Sequence, residues 1–326
     1  MGYSVEVCKK LGEKIRSAKL FRPMHIERYD DNTELEYNIV DVDTAVRAKI
    51  KVLILRFVGG GFAGQVYQVK LLKIESDNGS IETLKEGGIY AVKILIPPSG
   101  FSLFFRNLLY AIGFQGPFQL QSNPIAARSG ALWQKFIRRA AKIKFGDERS
   151  VTNIYATFVD NRLGSCGEIS EWIEGRTWRL EVDERLDVRR KWFKGKPVDP
   201  QKLGSPEYRS KYQFMHQFVD LLHEVGAHEF ARQYEWSTWK SQPNCLKRKD
   251  TEASPETGLV AVDFRAGLAL LPFLPMSPGD FKLIFQGLFR GSLVQFDRGD
   301  VGKLEAYISS VFRSFHPPVL GTGKLS

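Results

Sequence analysis

The run FVGGGFAGQVYQVKLL, Phe57 to Leu72, constrains the chain more than any other. Three glycines follow an apolar, branched stretch, a fourth stands at position 64, and the residues after it alternate between apolar and polar. Glycine reaches backbone conformations closed to other residues and lets a backbone approach a neighbour or ligand closely. Alternation with period two marks a strand. The run therefore predicts two strands joined by a glycine-rich turn. Its flanks extend the pattern. KVLILRFV (51–58) and VYQVKLLKI (66–74) are the two strands, and Asn78-Gly79 is a turn signal. IYAVKILI (89–96) is a third strand, stopped by Pro97-Pro98, so the three form an antiparallel meander.

Beyond the meander the pattern changes. Residues 4–19 have helical composition, and a polar segment follows them. AARSGALWQKFIRRAAKIKF (126–145) is a basic amphipathic helix, and IYATFVD (154–160) and SCGEISEWI (165–173) are strands joined by a turn at Asn161 to Gly164. The second half is mainly helical. Residues 209–226 put Phe214, Phe218, Leu221, Leu222 and Val225 on one face, and 280–291 and 301–315 are further helices. LVAVDF (259–264) is a short buried strand. Strands precede helices, with a boundary near 174–180, which predicts an α+β chain of two lobes.

Composition narrows the partners. A net charge of +10 and a pI near 9.4 favour phosphate-bearing partners without choosing among nucleotides, nucleic acid and anionic lipid. Cys8, Cys166 and Cys245 are widely spaced, with no CxxC pair, so a disulfide framework or zinc site is not expected and a reducing compartment fits. The N-terminus lacks the apolar core of a secretory signal, and Glu6 stands where a myristoylation signal requires Ser or Thr. No apolar stretch is long enough to predict a spanning helix.

Gly59, Gly61 and Gly64, with Val66, spell G-x-G-x-x-G-x-V. A Rossmann turn would feed a helix, with an acidic residue about twenty positions on. The segment here is a strand, which disfavours that geometry. A strand–glycine–strand hairpin instead matches a phosphate lid, and such a lid needs a lysine on the third strand. Tyr90-Ala91-Val92-Lys93 supplies it. Three further segments follow in order. Leu222-His223-Glu224-Val225-Gly226-Ala227-His228 is similar to L-H-x-x-G-x-x-H. Gln242-Pro243-Asn244-Cys245-Leu246 is similar to K-P-x-N-x-L. Val260-Ala261-Val262-Asp263-Phe264-Arg265 is similar to the strand that leads into D-F-G.

Over residues 50 to 290 the chain thus resembles the protein-kinase-like superfamily, on short motifs in a fixed order. The resemblance implies a bilobal fold, with an antiparallel-sheet N-lobe at 49–175 and a mainly helical C-lobe at 176–315. Residues 1–48 are then an N-terminal extension and 316–326 a tail, with an apolar insert near 97–125. It implies ATP and Mg²⁺. Gly59, Gly61, Gly64, Val66 and Ala91 would line the nucleotide, and Lys93 would pair with its phosphates. The segment ISEWIEGRTW would hold the adenine by backbone groups of a hinge running from Glu171 to Ile173. Asn244 and Asp263 would hold the metal.

The chain also departs from that pattern. His228 is followed by Glu229 and Phe230 rather than Arg-Asp, and no aspartate occurs from 221 to 249. Glu229 and Glu235 are the carboxylates left after His228 to act as a base. The third position of D-F-G is Arg265. The helix at 126–145 contains no Glu to pair with Lys93, leaving Gln134 or the nearby Glu148. Only 63 residues follow Asp263, without an A-P-E segment, which is closer to atypical sugar or lipid-linked kinases than to Ser/Thr protein kinases. Two functions stay open: a phosphotransferase acting on a hydroxyl of a lipid, sugar or protein, and a pseudokinase acting as a nucleotide-binding scaffold or regulator. The insert FSLFFRNLLYAIGF is preferred as an added helix packed over the small lobe. Its alternative is an in-plane membrane contact assisted by Lys135, Arg138, Arg139, Lys142 and Lys144. Nucleic acid is not an expected partner, because no reader motif occurs. The expected location is cytoplasmic, or peripheral at a membrane.

Overall fold

The computed structural model describes residues 4–17, 24–61, 64–76, 79–96, 100–111, 122–177, 206–228, 230–231, 245–251, 254–262 and 299–311. Alternating apolar residues in its first half form a closed ring of antiparallel strands. They are β1 (Glu34–Asp41), β2 (Arg47–Gly61), β3 (Gly64–Ser76), β4 (Ile89–Ile94), β5 (Ile154–Asp160) and β6 (Ser165–Glu171). The order around the barrel is β1-β2-β3-β4-β6-β5, and β5 pairs back with β1. Ile50, Val52 and Ile54 point inward from β2, Tyr67, Val69 and Leu71 from β3, and Val92 and Ile94 from β4. Their neighbours at odd offsets face outward, as a pleated strand requires. Register shifts at three places along β2 let the long β2–β3 hairpin bend into the ring.

The expected meander is present as β2, β3 and β4. The closure is new. Residues 34–41, from the segment assigned to an N-terminal extension, become β1 and pair with both β2 and β5. A buried carboxylate fixes this closure. Asp160 Oδ2 accepts from the Tyr29 and Tyr37 hydroxyls at 2.9 Å each, and Asp160 Oδ1 accepts from the Leu163 N–H at 2.8 Å. Both phenols are held well above their ordinary titration range, first by burial and then by the Asp160 charge.

Four of the five described helices share a second core beside the barrel. The α1 helix (Val5–Ser17) and α2 (Gly100–Ala111) are followed by α3 (Pro124–Phe145), α4 (Pro206–Glu224) and α5 (Val301–Ser310). Asn123 caps α3 through its side chain, Pro124 opens it, and Gly146 ends it at a φ of 75°. The α3 helix is central. Leu132, Trp133, Phe136 and Ile137 pack in one core with Cys8 and Leu11 of α1, Phe218 and Leu222 of α4, and Leu304 of α5. All three cysteines are free and buried. Burial pushes the Cys8 and Cys245 thiols up to about 12, the behaviour of inert core groups.

A second sheet joins the two parts. It orders β7 (Gly175–Thr177), β8 (Cys245–Arg248) and β9 (Leu259–Ala261). The β8–β9 loop is closed by Lys247, which is only 1% exposed and whose ammonium donates to the Ser254 and Thr257 carbonyls. Antiparallel strands and helices are thus segregated as an α+β chain. Of the expected later helices, 301–315 is seen in its first ten residues as α5, with 312–315 outside the described residues, as is 280–291.

Candidate functional site

Register decides which side chains share a face. Gly59 lies opposite Val66, Val66 opposite Lys93, Lys93 opposite Glu168, and Glu168 opposite Thr157. Directly opposed residues of antiparallel strands project from the same face. The inward residues on either side, Tyr67, Val92 and Ile169, belong to the barrel interior. The row Gly59–Val66–Lys93–Glu168–Thr157 therefore lies on the outer face. Ala91 and Ser170 form a second opposed pair one step along it.

The glycines of the hairpin differ in what they permit. A Cβ on Gly59 would meet nothing within 4 Å, so the face beside Val66 and Lys93 is open at that position. At Gly64, φ is +146° and a Cβ would collide with the Ile94 carbonyl oxygen. Gly64 is thus required by the approach of β3 to β4, whatever else it does. The backbone of Gly61 pairs with Gly64 at the end of the hairpin.

Lys93 is 8% exposed and Glu168 is 7% exposed. Both charged residues are largely withdrawn from water and lie opposite one another in the β4–β6 ladder. Sequence reasoning placed Lys93 but passed over Glu168. Its signal was a carboxylate at an alternate position of SCGEISE, a strand otherwise buried from Ser165 to Ile169.

The expected hinge leaves the barrel from this face. The Glu171 N–H donates to the Asn153 carbonyl at 2.8 Å. The Glu171 side chain faces away from a base-binding role: its Oε1 pairs with Arg248 Nη1 at 2.6 Å, and its Oε2 accepts from the Asn153 N–H at 3.3 Å. Among the described residues the Ile173 N–H has no acceptor. The chain then enters β7, where Gly175 pairs with Arg248. On the other side the Thr152 N–H donates to the Ala261 carbonyl at 3.1 Å. The strand that runs into Asp263 therefore ends beside the residues that lead into β5.

The two groups expected to replace a helix glutamate are engaged elsewhere. Gln134 Nε2 donates to the Thr152 carbonyl at 2.9 Å. Glu148 lies 3.6 Å from Arg138 and 3.4 Å from Lys142. Part of the basic face expected on α3 is likewise taken up within the fold, while Lys144 pairs at the surface. Lys135 bonds Asp43 Oδ2 at 2.8 Å and Asn153 Oδ1 at 3.0 Å, and Lys144 bonds Glu224 at 3.0 Å. Burial pulls Lys135 below its ordinary range, and the Asp43 charge opposes that pull.

After α4, Gly226 turns the chain at a φ of +83° and His228 folds back on His223, their Nδ1 atoms 3.1 Å apart. One of the facing nitrogens must carry a proton and the other must not. Glu229, Glu235, Asn244 and Asp263 lie outside the described residues. Among the described residues no cluster of three His, Cys, Asp or Glu side chains is placed to hold a metal ion. Nor is any described helix long and apolar enough to cross a membrane.

No protein-family model and no curated protein matches the chain. Among solved structures it is similar to the BubR1 kinase domain, at 20% identity over 81% of this chain and 60% of that one, with a TM-score of 0.35. It is also similar to vaccinia related kinase 3, at 11% identity over 74% of this chain and 52% of that one, with a TM-score of 0.32. The chain thus spans less than two thirds of either structure, and both superpositions are weak.

Proposed function

We propose that the chain has a protein-kinase-like bilobal fold, binds ATP with Mg²⁺, and transfers a phosphoryl group to a hydroxyl acceptor. The observation that carries this reading is the row Gly59–Val66–Lys93, which sets a buried ammonium on an open face beside a glycine hairpin. The ordered motifs in the sequence supply the rest. The described residues fit a nucleotide. The missing side chain at Gly59 leaves room, Lys93 supplies a positive charge for phosphates, and the backbone of the hinge from Glu171 to Ile173 would face a base. Asn244 and Asp263 would hold the metal.

Bound Mg·ATP supplies the transferable γ-phosphoryl group. A bond forms from the acceptor oxygen to the γ-phosphorus, the bond to the β–γ bridging oxygen breaks, and ADP leaves. Glu229 or Glu235 takes the acceptor's proton. Lys93 holds phosphate charge throughout. The acceptor class stays a lipid, sugar or protein hydroxyl.

One observation favours a second reading. The absence of aspartate from 221 to 249 removes the usual base, which fits a pseudokinase that binds nucleotide as a scaffold or regulator. Turnover of radiolabelled ATP by the purified chain, with Lys93→Met and Asp263→Ala, separates the two. Turnover abolished by both changes supports the enzyme. Binding without turnover supports the pseudokinase. Turnover indifferent to both changes defeats the site. The exposure of Phe101, Phe104 and Leu108 on α2 adds a peripheral membrane contact as a property of either reading.

A further inference from the structure

Two cations of α3 are matched very differently. Arg128 and Lys135 stand seven residues apart on this helix, two turns, and so share a face. Lys135 meets the connection between β1 and β2, where Asp43 accepts from it at 2.8 Å. The Asp43 and Asp41 charges both favour its ammonium. Arg128 has no such match. Its side chain is half-buried, and its Nε is buried with no hydrogen-bond acceptor. The charge that acts on it is a second cation. Burial first, then Arg47 at the start of β2, pull the Arg128 guanidinium below its ordinary range. Among the described residues neither arginine has a carboxylate partner.

A guanidinium partly withdrawn from water is costly until its donors are taken up, and a like charge beside it adds to that cost. Arg47 is exposed, so the pair can be reached from solvent. An acceptor that suits both arginines must be compact, rich in oxygens and about doubly negative. A phosphate monoester meets all three conditions, with a charge of about −1.5 to −2 near pH 7. Its oxygens also fit the planar fork of arginine. A carboxylate brings a single charge and leaves one guanidinium unmatched. The spot is separate from the nucleotide face, because Arg47 opens β2 whereas Gly59 and Gly61 lie at its far end.

We propose that Arg128 and Arg47 together bind a phosphoryl group, at a site apart from the row Gly59–Val66–Lys93. The site does not depend on ATP turnover. Free phosphate and the headgroup of a phosphate-monoester lipid present the same group, and two arms of one experiment tell them apart.

In the first arm, inorganic phosphate is titrated calorimetrically into the full chain at low salt, with chloride at matched ionic strength as the control. Wild type, Arg128→Gln, Arg47→Gln and Lys142→Gln are compared, the last removing the same charge from an exposed position of α3. The arginine variants should each bind phosphate about tenfold more weakly, and Lys142→Gln should change affinity by less than about twofold. Equal losses in all three variants reduce the effect to diffuse attraction by a basic protein and overturn the proposal. Phosphate held at the Lys93 face would persist in Arg128→Gln, and that persistence overturns it as well. In the second arm, vesicles containing phosphatidic acid are sedimented with the same variants. Pelleting that requires Arg128 and Arg47 identifies a headgroup as the source, and arginine-dependent binding of free phosphate alone identifies a soluble one. A wild type with arginine-dependent binding in neither arm overturns the proposal. Thermal midpoints separate binding from a merely structural role. Arg128→Gln should keep the wild-type midpoint in chloride and lose the rise that phosphate gives the wild type; a rise retained in full overturns the site. If Arg128→Gln does not fold, the exposed Arg47→Gln decides, its weakened binding supporting the site and wild-type affinity rejecting it.

Discussion

Asp160 shows how much one side chain decides here. It is 1% exposed and accepts from two tyrosine hydroxyls and a backbone N–H that belong to three separate parts of the barrel. Asp160→Ala orphans those donors in the interior, and each orphan carries a desolvation cost. Unfolding in urea should show a loss of about 3 kcal/mol. The same cluster sets an alkaline limit. The Tyr37 and Tyr29 phenols are raised in the folded chain by burial and by Asp160, whereas unfolded phenols titrate near pH 10. Their contribution is therefore complete below that pH and lost as pH rises above it. Thermal midpoints measured from pH 8 to pH 11 should fall at the alkaline end, and Tyr37→Phe should flatten that fall. The shared row of Lys93 and Val66 was legible because their motif fixes strand and spacing together. Glu168 was not. Its face follows from the pairing of β6 with β4, strands separated in the chain by α2, α3 and β5, and no local pattern reports that register.

At the scale of elements, α2 is the exception to economical burial. Phe101, Phe104 and Leu108 are 77%, 63% and 46% exposed, at offsets of three and seven on one helical stripe. Residues 100–111 do form the added helix that the apolar run predicted, yet this stripe meets water rather than the barrel. Phe101→Ser/Phe104→Ser should change stability by no more than about 0.5 kcal/mol each, the range of ordinary surface substitutions. Sedimentation with vesicles containing anionic lipid should fall in the same variant if the stripe touches a bilayer, and an unchanged pellet would remove that role. Of the basic residues of α3, Lys135 is withdrawn into a bond with Asp43 and Arg138 lies in an ion pair, while Lys142 and Lys144 stay on the surface. The periodicity of residues 126–145 reported a helix correctly. It did not report how far this helix is buried, since Lys135 is satisfied by Asp43 from a segment far back in the chain.

At the scale of the whole molecule, the barrel and the helical part are joined through a few chain crossings. Arg248 and Glu171 span one of them as a pair 6% and 21% exposed at the side chain. Glu171→Ala leaves the Arg248 guanidinium buried without its carboxylate, and breaking such a pair costs about 3 kcal/mol or more. The expected result is a lower thermal midpoint with the far-ultraviolet spectrum retained. The α+β organisation was legible from the order of strands and helices. Ring closure was not, since ELEYNIVD follows a polar segment and finds its partners only in β2 and β5. That closure has a mechanical result. Six strands bonded in a circle resist flattening and sliding, because any such motion must break ladders on every side at once. The row Gly59–Val66–Lys93–Glu168 therefore keeps one shape, because the strands that carry it cannot slide past one another.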